Sequence, residues 1–166
     1  KTLEEPPTQV MLMLLATNVT TLLPTLVSRC QLLELHPVPL QLLSDELEST
    51  YGVDKSVSKE IAHLSSGKPG WAIEASRKPN LLKNLELQIE TIDRVLMDNI
   101  EARFAYSANL SSTFGRDRNA VRQELSLWLT WWHDILLSKK QVTTTVTHLS
   151  KIRRIQNIAN SLTSTQ

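Results

Sequence analysis

Leu23-Pro-Thr-Leu-Val-Ser-Arg-Cys-Gln31 sets one arginine, Arg29, between Ser28 and Cys30 at the end of a short helical stretch with Pro24 in its first turn. A guanidinium stays charged, is planar and offers parallel N–H groups to phosphate oxygens, which a lysine does not. The same cation is also favoured at a helix C-terminus by the dipole alone. Other chemistries lack their residues. There is no GxxxxGK[ST] loop to cradle a phosphate and no acidic strand end for Mg²⁺. His36, His63, His133 and His148 are scattered, and none has metal-ligand spacing with Cys30 or a carboxylate, so no metal site is expected. Cys30 has no nucleophile signature and reads as a packed, inert side chain. Glu4-Glu5 reads as a solvated helix end. Thr17-Asn18 closes an apolar run, where it reads as a strand-ending turn.

Two kinds of element would hold these residues. Val10-Met-Leu-Met-Leu-Leu-Ala16 is apolar without alternation, the pattern of a strand covered on both faces, and Cys30-Gln-Leu-Leu-Glu-Leu35 reads as a second short strand. Residues 1–5 read as the last turn of a helix stopped by Pro6-Pro7. His36-Pro-Val-Pro39 breaks the chain, and helix follows. Leu40–Tyr51 stops at Gly52. Asp54 caps a helix through Leu64, Gly67-Lys-Pro-Gly70 turns, and Gly70–Arg77 is a short helix. Lys78-Pro-Asn80 reads as a linker. Leu85, Ile89, Ile92, Leu96 and Ile100 trace one apolar stripe at helical spacing. Val121, Leu125, Leu129, Trp132 and Leu136 trace a second, and Val142, Val146, Leu149, Ile152, Ile155 and Ala159 a third. With breaks at Ser111–Gly115 and Ser138–Gln141, three long helices predict a bundle.

The 166 residues, 41% hydrophobic, suffice for a sizeable core, and a net charge of +1 gives no global field toward nucleic acid or membrane. Charge is uneven: residues 1–79 carry seven Lys/Arg against nine Asp/Glu, residues 116–166 eight against three. One cysteine excludes an internal disulfide and fits a reducing cytoplasm. The longest apolar runs are too short to span a bilayer.

Three linked motifs carry a family resemblance. Lys1-Thr-Leu-Glu-Glu-Pro-Pro7, Leu15-Ala-Thr-Asn18 and Leu23–Gln31 follow the order and spacing of the AAA+ ATPases of sliding-clamp loaders. Those run helix, Glu-Glu-Pro-Pro, core strand, a sensor Thr/Asn, then Leu-Pro-x-x-x-x-Ser-Arg-Cys. The resemblance implies that Arg29 is an arginine finger reaching the γ-phosphate of ATP in an adjoining subunit, with Ser28 and Cys30 holding its backbone. It implies that Thr17 and Asn18 stand at sensor 1. ATP-hydrolysing subunits carry Gly-Ser-x-Arg-Asp where this chain has Ser66-Gly-Lys-Pro-Gly-Trp-Ala72. The pattern of Gly67, Pro69, Gly70 and Ala72 instead resembles the delta prime subunit of bacterial DNA polymerase III. Gly70 stands where the arginine would touch the subunit's own nucleotide, an impaired second sensor. Leu127-Trp-Leu-Thr-Trp-Trp-His-Asp-Ile-Leu-Leu137 resembles the same subunits' C-terminal domain, with His133 in place of their arginine. Trp132 is expected on the core stripe, and Trp128, Trp131 and Trp132 mark the expected collar interface.

The implied architecture is mainly α. Residues 1–36 would be the end of an AAA+ α/β core with two strands, 37–79 a helical lid, and 80–166 a helical collar that oligomerises; a nucleotide-binding part would precede Lys1. The implied function is DNA replication in the cytoplasm. The chain would donate Arg29 to a neighbouring ATPase and anchor the pentameric loader that places the sliding clamp on primed DNA. No intrinsic catalysis is expected: ATP with Mg²⁺ would sit in the neighbour, and nucleotidyltransferase activity would belong to the associated polymerase. Partners would be the gamma/tau and delta subunits, with clamp and primer–template DNA met through the complex. An ATP-hydrolysing gamma/tau-type subunit, or a helical scaffold without catalytic role, is the alternative reading.

Overall fold

In the computed structural model, residues 9–142 and 145–162 are described. The chain divides into two compact units, Lys1–His36 and Pro37–Gln166. The helix end at residues 1–5 and its Pro6-Pro7 stop lie outside the described residues.

In the first unit, α1 (Pro24–Val27) is a single turn that stops short of Arg29, the expected end of the helical stretch, with Pro24 at its first position. It follows a 3₁₀ turn at Val19–Thr21. The two expected strands are absent: no described residue is in a strand, and Val10–Ala16 and Cys30–Leu35 run as irregular backbone. A strand is not self-sufficient, because its N–H and C=O groups need a ladder partner, and these two segments do not supply one to each other. Their apolar side chains stay exposed, Leu15 at 96% and Leu35 at 84%. Cys30 is also exposed rather than packed.

Among the described residues of the second unit, every regular element is a helix. α2 (Leu40–Ser49), α3 (Lys55–Ser65) and α4 (Pro69–Arg77) pack around Leu43, Leu47, Ile61, Ala62, Ala72 and Ala75. The chain leaves α2 through Gly52 at φ +65°, a left-handed position that suits glycine. Asp54 caps α3 by accepting from the Ser56 N–H at 2.8 Å. Inside this layer a buried polar bridge replaces apolar contact: Ser58 Oγ donates to Glu48 Oε1 at 2.8 Å and lies 3.1 Å from Ser44 Oγ.

Lys78 caps both α4 and α5 (Pro79–Met97), so the expected linker is a single residue. α6 (Ile100–Arg116) and α7 (Arg118–Lys139) follow, then a 3₁₀ turn at Leu149–Lys151 and α8 (Ile152–Ser161). The second core joins Ile89 and Ile92 of α5, Leu127, Trp131 and Ile135 of α7, Val146, and Ile155, Ile158 and Ala159 of α8. Two exposed-to-half-buried ion pairs brace it. Arg154 Nε reaches both Asp93 oxygens at 2.9 Å, and Lys151 reaches Glu86 at 2.9 Å. Each is worth at most about 1 kcal/mol.

Three boundaries differ from the sequence reading. Helix runs straight through Ser111–Gly115 and breaks at Asp117, whose carboxylate accepts from the N–H groups of Asn119 and Ala120. A further break falls at Asp98-Asn99, where the Asn99 side chain caps α6 and Arg103 donates to the Leu96 carbonyl of α5 at 2.7 Å. Asn and Asp satisfy free helix-start donors better than the helix interior does, and this local gain outweighs continuation of the stripe. Ile100, expected on that stripe, is exposed instead. The third stripe is helical only from Ile152 onward, and Val142 is exposed.

Candidate functional site

Backbone bonds close the turn that carries Arg29. The Ser28 N–H donates to Pro24 O at 3.0 Å, that of Arg29 to Leu26 O at 3.1 Å, and that of Cys30 to Val27 O at 3.3 Å. Ser28 Oγ donates to Thr25 O at 3.2 Å. Arg29 thus leaves the end of a one-turn helix, on an exposed turn. Its Nη1 donates to Thr25 O at 2.8 Å, which engages one edge of the guanidinium with its own chain. A guanidinium has five N–H donors, so this bond uses a minority of them.

Thr17 and Asn18 form a turn of their own. Asn18 Oδ1 accepts from the Thr20 N–H at 2.9 Å and from Thr20 Oγ1 at 2.8 Å, while Thr21 Oγ1 donates to Asn18 O. This is an Asx cap on the 3₁₀ turn. Among the described residues no hydrogen bond joins it to Arg29.

Gly67, Pro69 and Gly70 differ sharply in what the fold asks of them. Gly67 has φ +77°, and a Cβ there would lie 2.7 Å from both Pro37 Cβ and Val38 O. Its own carbonyl accepts from the Val38 N–H at 2.8 Å. Pro69 opens α4. Gly70 has open space around a built Cβ. Gly67→Ala is therefore expected to destabilise the second unit by about 2 kcal/mol or more, through positive φ and backbone overlap together. Gly70→Arg is expected to be accepted, and to gain up to about 1 kcal/mol from helix propensity. Urea unfolding midpoints of the two variants check the contrast.

The three tryptophans separate. Trp131 is the fully buried one, at 0% exposure, with its Nε1 unpartnered among the described residues. Trp128 donates through Nε1 to Tyr106 Oη at 2.7 Å, and Tyr106 Oη donates to Glu124 Oε1, locking α6 to α7. Burial first, and then the Glu124 bond, push Tyr106 up to about 12. Trp132 is 41% exposed, so its expected place on the core stripe is corrected. Leu125, Leu129 and Leu136 share its fate. Both faces of α7 carry apolar residues at helical spacing, and the face with Leu127, Trp131 and Ile135 is the one that packs.

Sequence reasoning missed the most tightly built polar group. Asp134 and His148 are 0% and 1% exposed, and Asp134 Oδ2 lies 2.7 Å from His148 Nδ1. The same carboxylate accepts from the Thr147 N–H at 2.9 Å and the His148 N–H at 2.9 Å. Burial alone would raise the Asp134 carboxyl, but the His148 side chain, the two N–H donors and the His148 charge together hold it below its ordinary value. The His148 ring meets Trp131 edge-on, with centroids 5.5 Å apart. Two residues before His148, Val146 O lies 2.6 Å from His63 Nδ1 of α3. The signal was available in principle, since Asp134 lies two turns from Leu127, one turn from Trp131 and next to Ile135, on the arc that these residues bury, where a carboxylate must be paired. The arrangement clamps a connecting segment and presents no open face for chemistry.

Among the described residues, no group of three or more His, Cys, Asp or Glu could hold a metal ion. No described helix is long and apolar enough to cross a membrane. No curated protein and no solved structure matches the chain. Residues 1–39, which include Ser28, Arg29 and Cys30, match the family model described as DNA polymerase III, delta subunit, and over that stretch the chain is similar to this clamp-loader-related family.

Proposed function

We propose that the chain serves in DNA replication as a delta prime-type subunit of a DNA polymerase III clamp loader, lending Arg29 to the ATP site of an adjoining subunit. One observation carries the reading: the Leu23–Gln31 motif lies wholly inside the 39 residues matched by the DNA polymerase III family model. Its physical support is an exposed arginine at the end of a short helix, with only one edge of its fork engaged. In phosphoryl transfer, charge spreads over the equatorial oxygens, and a guanidinium supplied in trans stabilises it without taking part in covalent chemistry. In this reading ATP and Mg²⁺ belong to the neighbour, which a gamma/tau-type subunit would supply. The helices of the second unit would anchor the complex that carries clamp and primed DNA. Gly70 favours a donor over a hydrolysing subunit, because a glycine offers no charge to a nucleotide of its own.

The test is reconstitution. Added to ATP-hydrolysing gamma/tau-type and delta subunits with clamp and primed DNA, the chain is expected to raise ATP turnover above that of the mixture without it. Unchanged turnover at saturating chain overturns the proposal.

A further inference from the structure

α7 leaves a second apolar seam in the open. Leu125, Leu129, Trp132 and Leu136 are 50%, 72%, 41% and 55% exposed, and they recur at intervals of four, three and four. That is the a/d spacing of a two-helix seam, about 16 Å long at 1.5 Å per residue. Apart from Asp117, which caps the helix start, the exposed charges along α7 and at its C-terminal end are basic. Arg118, Arg122, Lys139 and Lys140 are all exposed, as is His133. The acidic residues within α7 are turned away, Glu124 to Tyr106 and Asp134 to His148.

We infer that this face of α7 is a docking surface for an acidic amphipathic helix of a partner protein, which inserts apolar a/d side chains along Leu125–Leu136 and sets carboxylates against Arg122 and Lys140. Spacing and charge select this occupant. A second copy of the chain would bring the same basic flank against itself, which like-charge repulsion disfavours. A lipid surface calls for a broad apolar face, and this seam offers four exposed apolar side chains. A phosphate backbone has no use for a leucine seam. The inference rests on α7 alone, so it stands or falls separately from the role of Arg29.

The probe is a fluorescent amphipathic peptide about three heptads long, with Leu at a and d and Glu at e and g, whose own repulsion keeps it monomeric. Its counterpart carries Lys at e and g. Titrated with the full chain, the acidic peptide is expected to bind at least about tenfold more tightly than the basic one. The double variant L129E/L136E is expected to lose about tenfold or more of that affinity. Both leucines are exposed, so the urea midpoint should hold, and this separates lost docking from lost fold. Reversing charge with R122E/K140E should shift the preference toward the basic peptide. Three results would overturn the inference: equal binding of both peptides, undiminished binding by L129E/L136E, or adsorption to phosphatidylserine vesicles in the absence of peptide binding.

Discussion

On the proposed role of Arg29, replacing it by alanine is expected to slow ATP hydrolysis at an adjoining subunit's site by about 10³-fold or more, the scale of an arginine supplied in trans. Single-turnover measurement on a reconstituted loader isolates that site from the others. The fold should not register the change. Arg29 is exposed, and its side-chain bond in the structure is the one to Thr25 O. Nucleotide affinity should change far less than the hydrolysis step, because the charge it meets develops in the transition state. Arg29→Lys decides between two roles for the same cation. A helix-end cation worth a few tenths of a kcal/mol is replaced equally well by lysine. A planar fork meeting two phosphate oxygens is not. Hydrolysis restored by lysine would remove the phosphate role and leave only the helix end.

Asp134→Ala is expected to cost the second unit about 3–5 kcal/mol, a large share of a domain's stability. The side chain lost is small, but three donors lose their acceptor at once: the His148 ring and the N–H groups of Thr147 and His148. The two His148 donors would be left buried without an acceptor, and the Thr147 N–H part-buried without one. Asp134→Asn keeps the volume and one acceptor but turns an N–H₂ group toward donors, so it should fall between alanine and the parent. The pH dependence follows from the depressed carboxyl. Its folded-state value lies below the ordinary 3.8, so the folded state binds this proton less readily than the unfolded chain. The stabilisation is therefore fully present above that ordinary value and fades as pH falls through the folded-state one. Urea unfolding between neutral and strongly acidic pH should show this loss in the parent and a shallower one in Asp134→Ala. Equal slopes would mean that other carboxylates carry the acid sensitivity.

The helix caps were legible in the sequence because each is decided within four residues. Asp54 in front of α3 and Pro69 at the start of α4 fall where their chemistry predicts. Asp98-Asn99 and Asp117 carried the same kind of local signal, and the longer-range stripe masked it. The apolar face of α5 was also legible, since Leu85, Ile89, Ile92 and Leu96 form its one stripe and all meet the core. On α7 periodicity could not choose, because two stripes compete and burial depends on which helices arrive from elsewhere.

The candidate site divides along the same line. Arg29 and its setting are a property of nine consecutive residues, and its exposure follows from a turn closed within them. By itself, then, the order of residues determined a chain of helices with local caps and one arginine whose chemistry suits a phosphate. Only the tertiary structure decided that Trp131 packs while Trp132 faces out, and that Asp134 finds His148. It also decided that Val10–Ala16, strand-like in composition, forms no strand. Caps and turns are settled by neighbours along the chain. Burial, pairing and strand formation require a partner distant in sequence, whose arrival local periodicity does not encode.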